Sequence, residues 1–301
     1  MPKVKQISME EEYKKNPDIS PEDIRKLREW LKTQPHLPNE YVTDLDLLLT
    51  FHCCERSAEV TKQVFDLHLT LRTLFNGFFQ NRVMDQRLQM ALDTVLISPL
   101  PTPTVHGYRA LYGRLLSPDH RNFIFSDVVK LFMMIFDLWQ YEEGTWPGFV
   151  LIIDMDQTTI GHLGKLDVMS IRQVLYFLQE CMLVKLKEVH FLNAPYFMDK
   201  LMMLLKPFMK KALLDIIRIH QRDTTTLEQF VKKSSLPKDE GGEYLSRSTL
   251  KEEQMRRLED NKDFFKNESH RRVNESLREG KKATIEDIFG LQGSFKKLDI
   301  D

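Results

Sequence analysis

The sequence predicts an α/β protein in two parts: a helical N-terminal module, then alternating strands and helices that build a mixed sheet. Three observations point there. Helix start signals and helix-period apolar stripes run through residues 21–97. A proline-rich run, Ser98-Pro-Leu-Pro-Thr-Pro103, follows and reads as an extended linker. From about residue 107 short apolar strands alternate with helical patterns.

The elements follow in order. Residues 1–20 are polar and charged and are expected to be a flexible N-terminus. Ser20-Pro21-Glu22-Asp23 is a helix start, with Ser as N-cap, Pro at the first helical position and Asp at N3. Leu27, Trp30 and Leu31 give that helix its stripe, and Pro35 and Pro38 end it. Segments 45–54, 57–75 and 84–95 read as further helices, and the domain boundary is set at the proline run, with the second domain at 104–245. There, Tyr108–Leu115, Phe149–Ile153, Lys185–Leu192 and Ile216–His220 read as strands. Ser126–Gln140, Lys165–Gln179 and the Met-rich Pro195–Leu205 read as helices. Residues 246–301 are highly charged. Met255, Leu258, Phe265, Val273 and Leu277 fall on one face of an amphipathic helix, and Ile285, Ile288, Phe289 and Phe295 form a tail suited to stapling onto a groove.

Composition sets the bounds on function. The 301 residues hold 43 Lys+Arg and 44 Asp+Glu, so the chain has no global basic footprint for nucleic acid. The most apolar stretch, Val128 to Trp139, is broken by Lys130 and Asp137, far short of a bilayer span. Three cysteines, two of them the adjacent Cys53 and Cys54, do not make a disulfide scaffold. The first residues, MPKVKQISMEEEYKK, lack the apolar core of a signal peptide. A cytoplasmic protein is expected.

Phosphate-loop, dinucleotide, zinc-protease and nucleophile-elbow motifs are absent from the sequence. Asp154 and Asp156, two acids past a strand end, can hold a divalent cation or turn the chain into the next helix; the second role is expected. His190 and His220 each sit in a strand with no Cys, Asp or Glu at ligand spacing, and are expected to be structural. The Met-rich segment stands out more. Phe197, Met198, Leu201, Met202 and Leu205 fall at helical spacing, while Met203, Leu204, Phe208 and Met209 add apolar surface on the other side. A helix apolar all round is buried or meets something greasy, and methionine suits a surface that adapts.

Four pieces carry a family resemblance: His190-Phe-Leu-Asn-Ala-Pro195, Lys206-Pro-Phe-Met209, Ile217-Arg-Ile-His220 and Leu236-Pro-Lys-Asp-Glu-Gly-Gly242. Together with their spacing they resemble the CRAL-TRIO lipid-binding domain, and residues 20–75 resemble the helical module that precedes it. The tail from Val273 to Phe295 is similar to insect members of the tocopherol- and retinaldehyde-carrying branch. The resemblance implies an apolar cavity between a mixed sheet and helices, closed by a gate helix that opens at a membrane. It implies carriage of one small hydrophobic ligand (a tocopherol, retinoid, carotenoid or similar lipid) by a monomer without cofactor, metal or catalysis.

Phase and the family pattern together nominate the lining. Phe149, Leu151 and Ile153 share a strand face; Val128, Leu131, Phe132 and Ile135 share a helix face. Ile160, Leu166, Val174, Leu178, Met182 and Val184 match lining positions of the family. The gate falls on Phe197, Leu201, Met202, Leu205 and Phe208. Lys185 and Lys187, on one face by alternation, match a phosphoinositide cleft, with Arg218 offset by two residues from a basic position that is Ile216 here. Cys53 stands where the module usually has Arg. A membrane-exchanging carrier is the leading expectation, and a phosphoinositide-sensing regulator or lipid-presenting adaptor is the alternative.

Overall fold

The computed structural model describes residues 3–222 and 226–290. Its first helices are α1 (Met9–Lys15), α2 (Pro21–Lys32), α3 (Asp44–Cys53), α4 (Ala58–Leu74), α5 (Asn76–Phe79) and α6 (Gln86–Thr94). The first three begin with capping boxes, Ser8 with Glu11, Ser20 with Asp23 and Thr43 with Asp46. In α2 the stripe that faces inward is Ile24, Leu27 and Leu31.

The N-terminus departs from expectation. Residues 9–15 are not a loose tail but a helix, anchored by Glu12, which is fully buried and accepts from the Thr145 hydroxyl at 2.7 Å. Gly144 makes this possible. Its φ is +73°, and a Cβ there would stand 2.0 Å from the Glu12 carboxylate.

The sheet order is β1 (Val95–Pro99), β2 (Arg109–Leu115), β3 (Phe149–Asp154), β4 (Leu186–Leu192) and β5 (Ile217–Ile219). β1 runs antiparallel to β2, and β2 to β5 are parallel, so the sheet is mixed as expected. The proline run is therefore not the boundary. Its first residues belong to β1, an edge strand where Pro99 leaves no central ladder bond unmade.

The helices between parallel strands are α7 (Phe125–Glu143), α8 (Ile160–Leu163), α9 (Val168–Glu180), α10 (Met198–Leu205) and α11 (Lys211–Asp215). Because the strands stand in chain order, right-handed crossovers put these helices on one face of the sheet. The other face, with Leu96, Ala110, Tyr112, Val150 and Ile152, is covered by Leu227, Val231 and Leu250. Leu250 lies on α12 (Arg247–Asp260), which is followed by α13 (Lys262–Glu268) and, after irregular chain, α14 (Ile285–Phe289). The apolar residues expected on one helical face after residue 246 are thus divided between two helices and the irregular chain that follows. Phe265 and Val273 are buried and Leu277 is half exposed. Phe289 stacks on Phe75, centroids 6.0 Å apart, while Phe295 lies outside the described residues.

Candidate functional site: an apolar cavity under a two-faced helix

On the helix side of the sheet lies a cavity of about 310 Å³. Small-molecule sites run from about 300 to 1,000 Å³, so it admits one compact ligand. The strand face supplies two rows of side chains in register, Leu111, Leu151, Val189 and Ile217, then Ile97, Gly113, Ile153 and Phe191. Gly113 contributes by having no side chain. A Cβ there would meet only ordinary contacts, the nearest being Leu96 O at 3.8 Å, so the room is spare.

Seven of the nominated lining residues reach this cavity: Val128, Phe132, Leu151, Ile153, Leu166, Val174 and Leu178. Six do not. Leu131 and Ile135 are buried in the packed core beside α7, a helix enclosed on nearly every side. Phe149 is stacked among Trp139, Trp146 and Phe136, which fill that end of the sheet. Val184 packs on the same core. Met182 lines a separate cavity of about 60 Å³ between α7 and the helical module. Ile160 opens α8 and is 46% exposed. The wall also takes in residues that sequence phase did not nominate, among them Phe123, Phe125, Val129, Ile171 and Leu175. The register rows show which signal finds the strand members: the alternate residues of β2 and β4 that lie beside Leu151 and Ile153.

The Met-rich helix is shorter than expected, eight residues, and it has two faces. Phe197, Leu201 and Leu205 form cavity wall. Met202 is buried behind them and Phe208 is half-buried in the turn beyond, neither in the wall. Outward, Tyr196 and Met203 are 88% and 71% exposed. Lys200 and Lys206 are exposed along the same side. Gln179 of α9 latches the far end, donating to Phe208 O at 3.0 Å and accepting from Lys210 N–H at 2.7 Å.

The register shifts at Lys187, the extra residue between Leu186 and Glu188, and Lys185 together with Lys187 holds the Glu55 carboxyl below its usual range. Lys185 is bound to Glu55 of the helical module at 2.8 Å. Arg218 pairs opposite His190 on edge strand β5 and donates to Asp215 O.

At the strand ends Asp154 accepts from Tyr112 at 2.6 Å, Arg114 at 3.2 Å and Asn193 at 2.8 Å. Arg114 also bonds Asp156 at 2.9 Å and Glu240. Both acids are spent on holding the chain turn, as expected for Asp154 and Asp156. Burial pushes the Glu240 carboxyl up to about 7 against the pull of Arg114. His190 and His220 stack at 5.1 Å and share a 2.8 Å hydrogen bond, both buried. Among the described residues no group of three or more His, Cys, Asp and Glu is placed to hold a metal ion. No helix among them is long and apolar enough to cross a membrane.

Fold and cavity define a class: a mixed α/β sheet with an apolar pocket that a short helix helps to wall. The chain belongs to the CRAL-TRIO lipid-binding family, its CRAL/TRIO domain matching residues 96–242. Residues 16–88, most of the helical module, match the Pinta-like UBA domain. Clavesin-1 of Pongo abelii is 24% identical over 233 residues, covering 77% of this chain and 66% of its own length. Clavesin-2 of Homo sapiens is 24% identical over 237 residues, covering 77% and 71%. The chain thus spans about two thirds of the length of these relatives. The crystal structure of Sfh5 aligns with a TM-score of 0.40 at 10% identity, over 70% of this chain and 84% of that one.

Proposed function

We propose that the protein is a carrier: it holds one small hydrophobic molecule in the cavity and exchanges it at membranes by swinging α10 outward. The two-faced character of α10 carries this reading. Its inner residues Phe197, Leu201 and Leu205 touch the cavity, while the exposed Tyr196 and Met203 offer apolar surface to solvent alongside the exposed Lys200 and Lys206. Such a stripe suits the headgroup boundary of an anionic membrane. Burying about 400 Å² of apolar ligand is worth ~10 kcal/mol before ordering costs, so the cavity needs no chemistry to retain its occupant. The carrier works as a cytoplasmic monomer without turnover. The phosphoinositide-sensing alternative has less support, since Lys185 is committed to Glu55 and Arg218 stands apart.

Tyr196→Glu with Met203→Glu tests the gate. The pair should slow transfer of an apolar fluorophore between vesicles about tenfold while leaving its affinity in detergent unchanged. Equal losses in both assays, or none, would place the membrane-entry surface elsewhere.

A further inference from the structure

The cavity is apolar, yet four polar side chains, Arg114, Asp154, Thr158 and His162, reach its wall. Arg114 and Asp154 spend their polar atoms on each other and on Asp156, Glu240, Tyr112 and Asn193. His162 does not. Its ring is 2% exposed, and its Nε2 is buried with no hydrogen-bond partner. An unmet buried polar group is costly, and in a binding protein it invites the question of what meets it.

The tautomer follows from the other nitrogen. Nδ1 accepts from the Thr159 backbone N–H at 3.1 Å, a group that only donates. The neutral ring therefore carries its proton on Nε2 and offers a donor. Burial, with His120 nearby, lowers the His162 pKa and keeps the ring neutral at physiological pH. Phe123 stands edge-on to the imidazole, centroids 5.2 Å apart, and forms part of the same wall.

We propose that His162 reads the ligand: the occupant is an apolar molecule with one neutral acceptor oxygen, a carbonyl or hydroxyl, that takes the Nε2–H. This deepens the carrier reading and rests on it. A carboxylate is disfavoured, because Arg114 is already matched by Asp154, Asp156 and Glu240 and the wall offers no unmatched cation among the described residues. A pure hydrocarbon would leave the donor orphaned.

The test uses the full chain and two probes of one skeleton, β-ionone and the hydrocarbon in which its carbonyl is CH₂. Calorimetric titration should show the ketone bound about tenfold more tightly, the size expected when one buried donor is satisfied. The carbonyl stretch of bound β-ionone should fall below its value in hexane. His162→Phe removes the donor, and His162→Asn retains an acceptor for the Thr159 N–H while its shorter amide moves the N–H donor off the Nε2 position. Both variants should erase the preference by weakening the ketone alone. Equal affinity of the two probes with an unshifted carbonyl stretch overturns the role of His162 and leaves the carrier reading standing. Binding of neither probe overturns both. If the variants fail to fold, the wild-type preference and carbonyl stretch decide the matter.

Discussion

The two faces of the sheet are built from the same five strands, yet one is solid and the other hollow. On the solid face Leu96, Ala110, Tyr112, Val150 and Ile152 meet Leu227, Val231 and Leu250, which fill the space directly. On the hollow face Leu111, Leu151 and Ile153 look across a cavity to α7, α9 and α10. The difference lies in what holds the opposing layer away. The solid face is covered by chain free to settle onto the strands. Over the hollow face, α7 is braced from outside. Arg72 and Arg82 each bridge Asp137 of α7 and Glu268 of α13, with contacts of 2.7 to 2.8 Å at Arg82. Burial alone would raise the Glu268 carboxyl, but the two guanidinium groups hold it well below its usual range. A cavity survives in a protein whose core would otherwise collapse because its walls are tied to something other than its floor.

The brace is the place to break the comparison hardest. Glu268→Ala leaves two buried arginines short of a carboxylate and should cost about 3–5 kcal/mol in denaturant unfolding. An effect below about 1 kcal/mol would mean the walls stand without it. On the solid face, Ile152→Ala should cost about 2–4 kcal/mol while ligand affinity stays within twofold of wild type. A matching loss of affinity would show that the two faces are not independent. The loop over the solid face supplies a pH test. Glu240 has a folded pKa of about 7, above its unfolded value, so its contribution is full below about pH 4.5 and fades as pH rises through 7. The side chain is only 11% exposed, so the change across this range is about 2–3 kcal/mol. Glu240→Gln should flatten thermal stability between pH 5 and pH 8. The smallest effect on stability is expected at the hollow face. Gly113→Val fills spare room and removes a strand glycine, so stability should rise by about 0.5–1 kcal/mol while capacity for an apolar fluorophore falls. Lower stability with unchanged capacity would mean that the space beside Gly113 is not part of the ligand site.

The same contrast marks what was legible in the sequence. Strand and helix order could be read because each element buries a face with its own period, as in β3, where Leu151 and Ile153 alternate with Val150 and Ile152. The short edge strand β1 was hidden because its prolines read as linker, and α1 because its anchor is a buried glutamate rather than an apolar stripe. Within the site, periodicity names an inward face but not whether that face meets atoms or space. Leu131 and Phe132 are neighbours on α7 with the same hydrophobic character, yet one is packed core and the other wall. A void is a mismatch of shapes between distant segments, and no local pattern encodes it. His162 carried no spacing signal at all, since its interest lies in a bond it does not make.

The passage from α6 to β1 has a practical corollary. Helix Gln86–Thr94 runs into strand Val95–Pro99 without an intervening residue, and Val95 serves as the helix C-cap. The UBA-type module and the lipid domain therefore share a seam rather than a hinge. A chain cut at the proline run would strip away β1 and leave the outer ladder groups of β2 bare over Leu111–Leu115. Such an edge recruits strands from other molecules. The isolated lipid domain, trimmed at the point where the sequence looks easiest to divide, should self-associate, because the strand that covers this edge is the one that runs straight on from the module's last helix.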